Sequence, residues 1–336
     1  MTASESQKPL LDVQNLTVRF GIKRGVGFGT KSFLYAVDDI SFTVKRGETL
    51  AIVGESGSGK TTAALAVARL VSAYQGKVLL DGQDFLALDD QALRQARAKV
   101  QFIFQDPYSS LNPRLRAERI VREPLDSLQT VAEDQRQDIV DRLFKAVGLH
   151  PEQQRLFPHQ FSGGQRQRIG IARALVTQPD LVICDEPVSA LDVAVQAQIL
   201  NLLRKLQADF GLTYLFISHD LGVVQHMCES IAVMYMGKIV EHADRLSLFN
   251  NPLHPYTAAL LSAVPSVDKK RREAAKRILI PGDPPDPLAL PKGCRFANRC
   301  PVAQPHCSDS QPTLKEVAPG HKVACHLVDD RAVSPL

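Results

Sequence analysis

Thr49 to Val53 runs directly into Gly54-Glu55-Ser56-Gly57-Ser58-Gly59-Lys60-Thr61, and an Ala/Leu/Val-rich stretch with helical character follows. A mostly apolar run of this kind predicts a strand buried on both faces, which requires parallel neighbours and covering helices. The spacing G-x-x-x-x-G-K-T between strand and helix constrains the loop as well. Its glycines let successive backbone N–H groups wrap a β-phosphate, Lys60 reaches the β- and γ-phosphates, and the Thr61 hydroxyl is suited to ligate Mg²⁺. Ser56, Gly57, Ser58, Gly59 and Thr62 are assigned to the same cradle.

A second phosphate element lies in Phe161 to Asp192, FSGGQRQRIGIARALVTQPDLVICDEPVSALD. Ser162 is a good N-cap, Gly163 and Gly164 leave backbone N–H groups accessible, and Ile169, Ala172 and Val176 recur at helical spacing. The start of such a helix binds anions. After the Pro179-Asp180 turn, Leu181 to Cys184 reads as another buried strand, ending in Asp185-Glu186. Adjacent carboxylates at a strand end suit a division of labour: Asp185 holds a metal, and Glu186 orients or deprotonates an attacking water. Nucleotide hydrolysis is the reaction implied.

Two further apolar segments, Val100 to Phe104 and Thr213 to Ser218, end at Gln105 and His219. Four buried strands followed by Gly54, Gln105, Asp185 and His219 match the rule that ligands bind at the carboxyl edge of a parallel sheet. Gln105 is then expected at Mg²⁺ or water. Leu11 to Phe20 and Asp39 to Val44 alternate apolar and polar residues, as half-buried antiparallel strands do, and predict a β-layer over the nucleotide. Phe20 is expected to stack on the purine, with Tyr35 as the other aromatic candidate. The intervening GIKRGVGFGTKSFLY, with Gly25, Gly27 and Gly29, follows no buried strand and reads as a surface loop. Ala117 to Leu149 turns helical, with Ile139, Val140, Leu143, Phe144 and Val147 on one face. Leu221 to Ser230 reads as helix, and Ile231 to Tyr235 with Lys238 to Glu241 as a hairpin turning at Met236-Gly237.

Length and composition set the outer limits. With 336 residues, 44% of them hydrophobic, the chain can hold one large domain and a smaller appendage. A net charge of +4 is too mild to argue for nucleic acid. No run of about 18 apolar residues spans a bilayer, and MTASESQKPL lacks the apolar core of a secretory signal, so a cytoplasmic location is expected. Beyond residue 250, NPLHPYTAALLSAVP reads as a short apolar helix, Lys269 to Arg272 as a solvated basic linker, and the tail collects Cys294, Cys300, Cys307 and Cys325. In a reducing compartment that clustering favours metal over disulfides. The C-x5-C-x6-C-x17-C spacing leaves the ligand open among an iron–sulfur cluster, Zn²⁺ with His306, His321 or His326 replacing one cysteine, two disulfides and four unligated thiols.

Across Leu11 to Glu241 the order of motifs resembles the ATP-binding subunit of ABC transporters. By that resemblance Gly54 to Thr61 is the Walker A loop, Gln105 the Q-loop residue and Ser162, Gly163, Gly164 and Gln165 the signature. Asp185 ends Walker B, Glu186 is the catalytic glutamate, Ser189 to Asp192 form the D-loop and His219 is the switch histidine. Phe161 stands where many members have Leu. QDPYSSLNPR, PVSALDVAVQAQ and NPLHPYTAALLSAVP are similar to the dipeptide/oligopeptide importer ATPases of bacteria, most of all the second of their two ATPase subunits.

The resemblance implies an α/β P-loop NTPase fold of the ABC type, with an antiparallel β-layer, a helical insert at about 106–178 and a small Cys-containing extension. It divides the chain into a cassette at 9–250 and an extension at 251–336. ATP and Mg²⁺ are the implied ligands. A second, related ATPase subunit, two transmembrane permeases and, through the complex, a periplasmic peptide-binding protein are the implied partners, at the cytoplasmic face of the bacterial inner membrane. The same family carries a 4Fe-4S cluster in a similar extension, so Cys294, Cys300, Cys307 and Cys325 are expected to hold one, with Zn²⁺ the alternative. Relatives handling nickel complexes or antimicrobial peptides, and non-transport ABC ATPases, are the alternative functions.

Overall fold

The computed structural model describes residues 8–23, 31–129, 131–264 and 278–328. Gly25, Gly27, Gly29 and the basic run at 269–272 lie outside the described residues. In chain order the elements are β1 (Leu11–Lys23), β2 (Lys31–Val44), β3 (Thr49–Val53), α1 (Lys60–Val67), β4 (Gln75–Leu80), β5 (Gln83–Asp84), α2 (Asp90–Ala96), β6 (Val100–Ile103), α3 (Ala117–Leu128) and α4 (Glu133–Ala146). There follow α5 (Gly163–Leu175), β7 (Leu181–Asp185), α6 (Val193–Phe210), β8 (Thr213–Ser218), α7 (Leu221–Met227), β9 (Ser230–Tyr235), β10 (Lys238–Asp244), α8 (Arg245–Asn250), α9 (Pro255–Ser262), β11 (Lys315–Ala318) and β12 (His321–Val323). The chain divides into two compact units, one comprising Met1–Asp12, Thr43–Thr49 and Val78–Ile217, the other Val13–Phe42, Leu50–Lys77 and Ser218–Leu336.

In the first unit β6, β7 and β8 run parallel, with Val100 opposite Leu181 and Leu181 opposite Thr213. Every residue of β7 and β8 is buried, which is why neither shows the alternation of a half-exposed strand. The Tyr214 hydroxyl, fully inside, donates to the Leu203 carbonyl of α6 at 2.9 Å, so its polar atom is satisfied without reaching solvent. Ile139, Val140, Leu143 and Phe144 form the buried face of α4, and Ile169, Ala172 and Val176 are among the buried residues of the next helix and its end.

In the second unit β3 is parallel to β9, with Leu50 opposite Ser230 and Val53 opposite Val233. β9 and β10 form an antiparallel hairpin whose turn residues, Met236 and Gly237, both have positive φ (44° and 83°), the twist that two-residue hairpins favour. The strand pairing does not stop at residue 250: β12 pairs with β10, and β11 with β12. Glu241 of β10, with no exposed surface, accepts from the Leu253 and His254 N–H groups (2.7 and 3.0 Å) and lies 2.7 Å from His321 Nε2.

β1 and β2 are hydrogen-bonded neighbours, and both are longer than alternation predicts. Gly21–Lys23 and Lys31–Tyr35, expected as loop, are strand. The Arg19 guanidinium of β1 lies 4.1 Å from the ring centroid of Phe33 in β2 and 3.3 Å from that of Tyr74. A ladder continues where its partner continues, whatever the polarity of its side chains.

Candidate ATP site

The phosphate loop follows β3 as expected. Gly54, Ser58 and Lys60 are buried, whereas Ser56, Gly57 and Thr61 face solvent and Thr62 is half-buried. Gly59 cannot be replaced without strain, because its φ is +103° and a Cβ there would sit 2.1 Å from the Ala36 carbonyl oxygen. Lys60 Nζ turns inward and donates to the carbonyls of Gly54 and Glu55, both at 2.9 Å. The Ser58 hydroxyl is buried with no hydrogen-bond partner among the described residues. A buried hydroxyl awaiting an acceptor, beside a lysine and exposed backbone, suits a phosphate group. Phe20, near the outer end of β1, is 42% exposed and thus open to a flat ligand.

On the first unit, Gln105 lies just past β6, and its Nε2 donates to Glu186 Oε2 at 2.9 Å. Asp185 is buried at the end of β7, with 4% of its surface exposed. Glu186 has a φ of 45°, unusual for a side-chain-bearing residue, while its N–H donates to Ile217 O at 3.0 Å and the Ser189 hydroxyl donates to its carbonyl at 3.1 Å. This over-determined backbone aims one carboxylate at the Gln105 amide. Next to Gln105, the Asp106 carboxylate accepts from the Tyr108 and Ser109 N–H groups, and the Tyr108 bond chiefly lowers its pKa. Phe104, expected in the buried strand, is 39% exposed beyond its end. His219, immediately after β8, is exposed.

The helix α5 begins as its sequence predicts. Ser162 Oγ accepts from Gln165 N and Gln165 Oε1 accepts from Ser162 N at 3.0 Å, a reciprocal capping box. Ser162 is exposed and Gly163, Gly164 and Gln165 are half-buried, so the N–H groups of the first turn remain reachable. Gly164 is dictated by packing: a Cβ would approach Val195 Cγ1 to 2.5 Å. Asp192 caps α6 by accepting from Val195 N at 3.0 Å, so the signature and the D-loop segment constrain one another through that valine.

The tail departs from expectation. No disulfide joins Cys294, Cys300, Cys307 and Cys325, and the Cys294 N–H donates to Cys307 O at 2.7 Å. Among the described residues no group of three or more His, Cys, Asp or Glu side chains is arranged to hold a metal ion. The 4Fe-4S cluster predicted for these four cysteines, and its Zn²⁺ alternative, are therefore corrected. Burial raises the Cys294 thiol and pushes Cys325 up to about 11, with neighbouring cysteines acting in the same direction. His321 is engaged with Glu241, and His326 Nε2 lies 2.9 Å from Ser310 O. Packing holds the tail instead: Phe296 contacts the rings of Tyr235, Tyr256 and His254 at centroid distances of 5.3, 5.4 and 5.7 Å.

Sequence reasoning also passed over the residues that touch the phosphate loop from the tail. The Tyr256 hydroxyl accepts from Glu55 N at 2.8 Å, and Arg299 pairs with the Glu55 carboxylate at 2.8 and 3.3 Å. Tyr256 sits in a stretch read only as an apolar helix, and no local pattern ties Arg299 to a loop 244 residues earlier. An Arg between two cysteines was the one available signal.

A parallel strand, a glycine loop with an inward-turned lysine, a carboxylate pair after a second buried strand and a capped glycine-started helix together define an ATP-binding cassette. Comparison with known proteins agrees. The family described as ABC transporter matches residues 37–189, and the oligopeptide/dipeptide transporter C-terminal region matches residues 240–307. The oligopeptide transport ATP-binding protein AppF of Bacillus subtilis is 48% identical over 97% of this chain and 99% of its own length. OppF of Salmonella typhimurium, an oligopeptide transport ATP-binding protein, is 46% identical over 97% and 98%. DppF of Escherichia coli, a dipeptide transport ATP-binding protein, is 46% identical over 96% of each chain. Among solved structures, a dimeric ATP-binding cassette in a post-hydrolysis state with ADP and Pi aligns with a TM-score of 0.61 at 30% identity, covering 70% of this chain and 98% of that one. The chain belongs to the family of ATP-binding proteins of oligopeptide and dipeptide ABC transporters, and it is an ATPase.

Proposed function

We propose that this protein is the ATP-hydrolysing subunit of an ABC importer for dipeptides and oligopeptides, acting at the cytoplasmic face of the bacterial inner membrane. The observation that carries this reading is likeness along nearly the whole chain, extension included, to ATP-binding proteins named for oligopeptide and dipeptide transport. No described helix is long and apolar enough to cross a membrane. Two transmembrane permeases therefore form the path, a periplasmic peptide-binding protein delivers the cargo, and a second, related ATPase pairs with this one. The cassette is taken as 9–250 and the extension as 251–336.

Each residue has a role that follows from its chemistry. Phe20 stacks on the purine. Gly54, Ser56, Gly57, Ser58, Gly59 and Thr62 contribute backbone and hydroxyl groups to the phosphates, and Lys60 exchanges its two carbonyl acceptors for phosphate oxygens. Thr61, Gln105 and Asp185 would hold Mg²⁺, which would neutralise charge on the phosphates. Glu186 takes or orients the proton of the attacking water, Gln105 holds its carboxylate, and His219 steadies the γ-phosphate. Ser162, Gly163, Gly164 and Gln165 present a helix start to the nucleotide of the partner ATPase.

Glu186→Gln should cut ATP turnover by about 10²–10⁴-fold while leaving MgATP binding intact, because the carboxylate is lost and the cradle kept. Turnover in the assembled transporter checks this, and full activity of the variant would reject the assignment. The pairing is tested by isolating the complex from its native host, where two different ATPases should be recovered with the permeases. A homodimer alone would rule that part out.

A further inference from the structure

The peptide unit joining Gly54 to Glu55 is held at both of its polar ends. Its carbonyl accepts from Lys60 Nζ at 2.9 Å, and its N–H donates to the Tyr256 hydroxyl at 2.8 Å. The next side chain along, Glu55, is the one acidic residue of GESGSGKT, and Arg299 pairs with it at 2.8 Å while also donating to the Tyr235 hydroxyl at 3.3 Å. A third tie reaches the middle of the loop. Arg295 donates to the Met236 carbonyl and to Asp38, and the adjoining Gly237 N–H donates to Ser58 O at 2.8 Å. Burial weighs against the charge of Arg299, yet its bonds to Glu55 and Tyr235 outweigh that and keep it firmly protonated.

Ordinary packing of a tail onto a core would bury side chains against side chains. Here two of the three ties end on the backbone of the loop itself, the part that wraps phosphate through its N–H groups. Tyr256 is fully buried and braced by Tyr235 and Phe296, at centroid distances of 4.7 and 5.4 Å, so the hydroxyl has little freedom to follow a loop that moves. Turning that peptide would break the Tyr256 bond and remove the carbonyl that holds Lys60 in readiness.

We propose that Tyr256, Arg299 and Arg295 are positioning residues for the nucleotide, setting the phosphate loop in its binding conformation from the C-terminal part of the chain. The inference rests on the assignment of Gly54 to Thr61 as the ATP site. Tyr256 fixes the 54–55 peptide plane, Arg299 fixes the Glu55 side chain, and Arg295 fixes the turn that supports Ser58. Changes in the extension are thereby read out as changes in nucleotide affinity.

The full-length chain is titrated with a fluorescent ATP analogue and Mg²⁺, and the Glu55 amide is followed by hydrogen exchange. Tyr256→Phe and Arg299→Gln should each weaken binding about fivefold or more, and Tyr256→Phe should speed exchange at Glu55 without a matching rise in β3. Glu55→Gln combined with Arg299→Gln should be no weaker than the poorer single variant, since both remove the same pair. Arg299→Lys, which keeps the charge, should recover most of the affinity. If Arg299→Gln does not fold, Tyr256→Phe decides, because its ring remains in the aromatic cluster. Affinities within about twofold of the unaltered chain, unchanged exchange at Glu55 or additive losses in the double variant would overturn the proposal. Lys60→Ala separates the two levels: if it binds normally the ATP-site assignment fails, whereas if it alone loses binding only the positioning role fails.

Discussion

The two glycine-rich elements of this protein are held in opposite ways. Ser162 to Gln165 is shaped by a reciprocal pair of hydrogen bonds between residues three apart, with Gly164 flush against Val195. In Gly54 to Thr61 the Glu55 side chain and amide are fixed by Arg299 and Tyr256, which lie 244 and 201 residues away. A helix start carries its own instructions, because capping needs only neighbours along the chain. A phosphate loop that must expose several N–H groups at once cannot satisfy itself, and its conformation is a property of the surrounding fold.

Changes at the two elements should therefore differ in size and in reach. Gly59→Ala forces a Cβ onto the Ala36 carbonyl at a φ of +103°, and should cost about 3 kcal/mol or more. Denaturant unfolding should show that loss, and MgATP binding should vanish with it. If Gly59→Ala binds nucleotide normally, the loop is more self-sufficient than its long-range contacts imply.

Acid should loosen the supports of the phosphate loop. Burial depresses His254 to about 4 and His242 to about 4, from an ordinary value of 6.5. A histidine whose folded pKa is lowered contributes stability that is complete above pH 6.5 and is lost as pH falls toward 4, because the unfolded chain takes up the proton first. At pH 5 the buried His254 alone should cost about 2 kcal/mol relative to pH 7. Since the His254 Nδ1 also accepts from Tyr256 N at 3.0 Å, hydrogen exchange at Glu55 should rise with acid before exchange in α5 does. His254→Asn, which keeps an acceptor and removes one titration, should shallow the pH dependence of the melting temperature between 5 and 7, with His242 supplying the remainder.

Ser162→Ala should have the smallest effect, about 1 kcal/mol in stability, confined to the start of α5. Exchange at the Gln165 amide should accelerate while Glu55 is unchanged. A spread of the effect to the phosphate loop would undo the contrast between a locally and a globally held element.

Much of the site was legible along the chain. β3, β7 and β8 read correctly because strands buried on both faces leave unbroken apolar runs, and α5 because its cap, glycines and apolar period all agree. Less legible were the outer parts of β1 and β2, whose pairing continues through polar residues with the Arg19, Phe33 and Tyr74 stack. Four cysteines close in sequence suggested a metal site, but spacing along the chain does not fix how side chains converge, and among the described residues no group of three or more His, Cys, Asp or Glu side chains is arranged to hold an ion.

By itself the sequence determined the class of the protein: G-x-x-x-x-G-K-T after a buried strand, a capped glycine-started helix and Asp185-Glu186 at a strand end are local patterns, each enforced by backbone geometry over a few residues. Only the tertiary structure decided that β12 extends from β10, that Glu241 gathers Leu253, His254 and His321, and that Glu55 is gripped by Tyr256 and Arg299. Those contacts join residues far apart in the chain, and the loop-closure entropy they require is repaid only when the whole core forms.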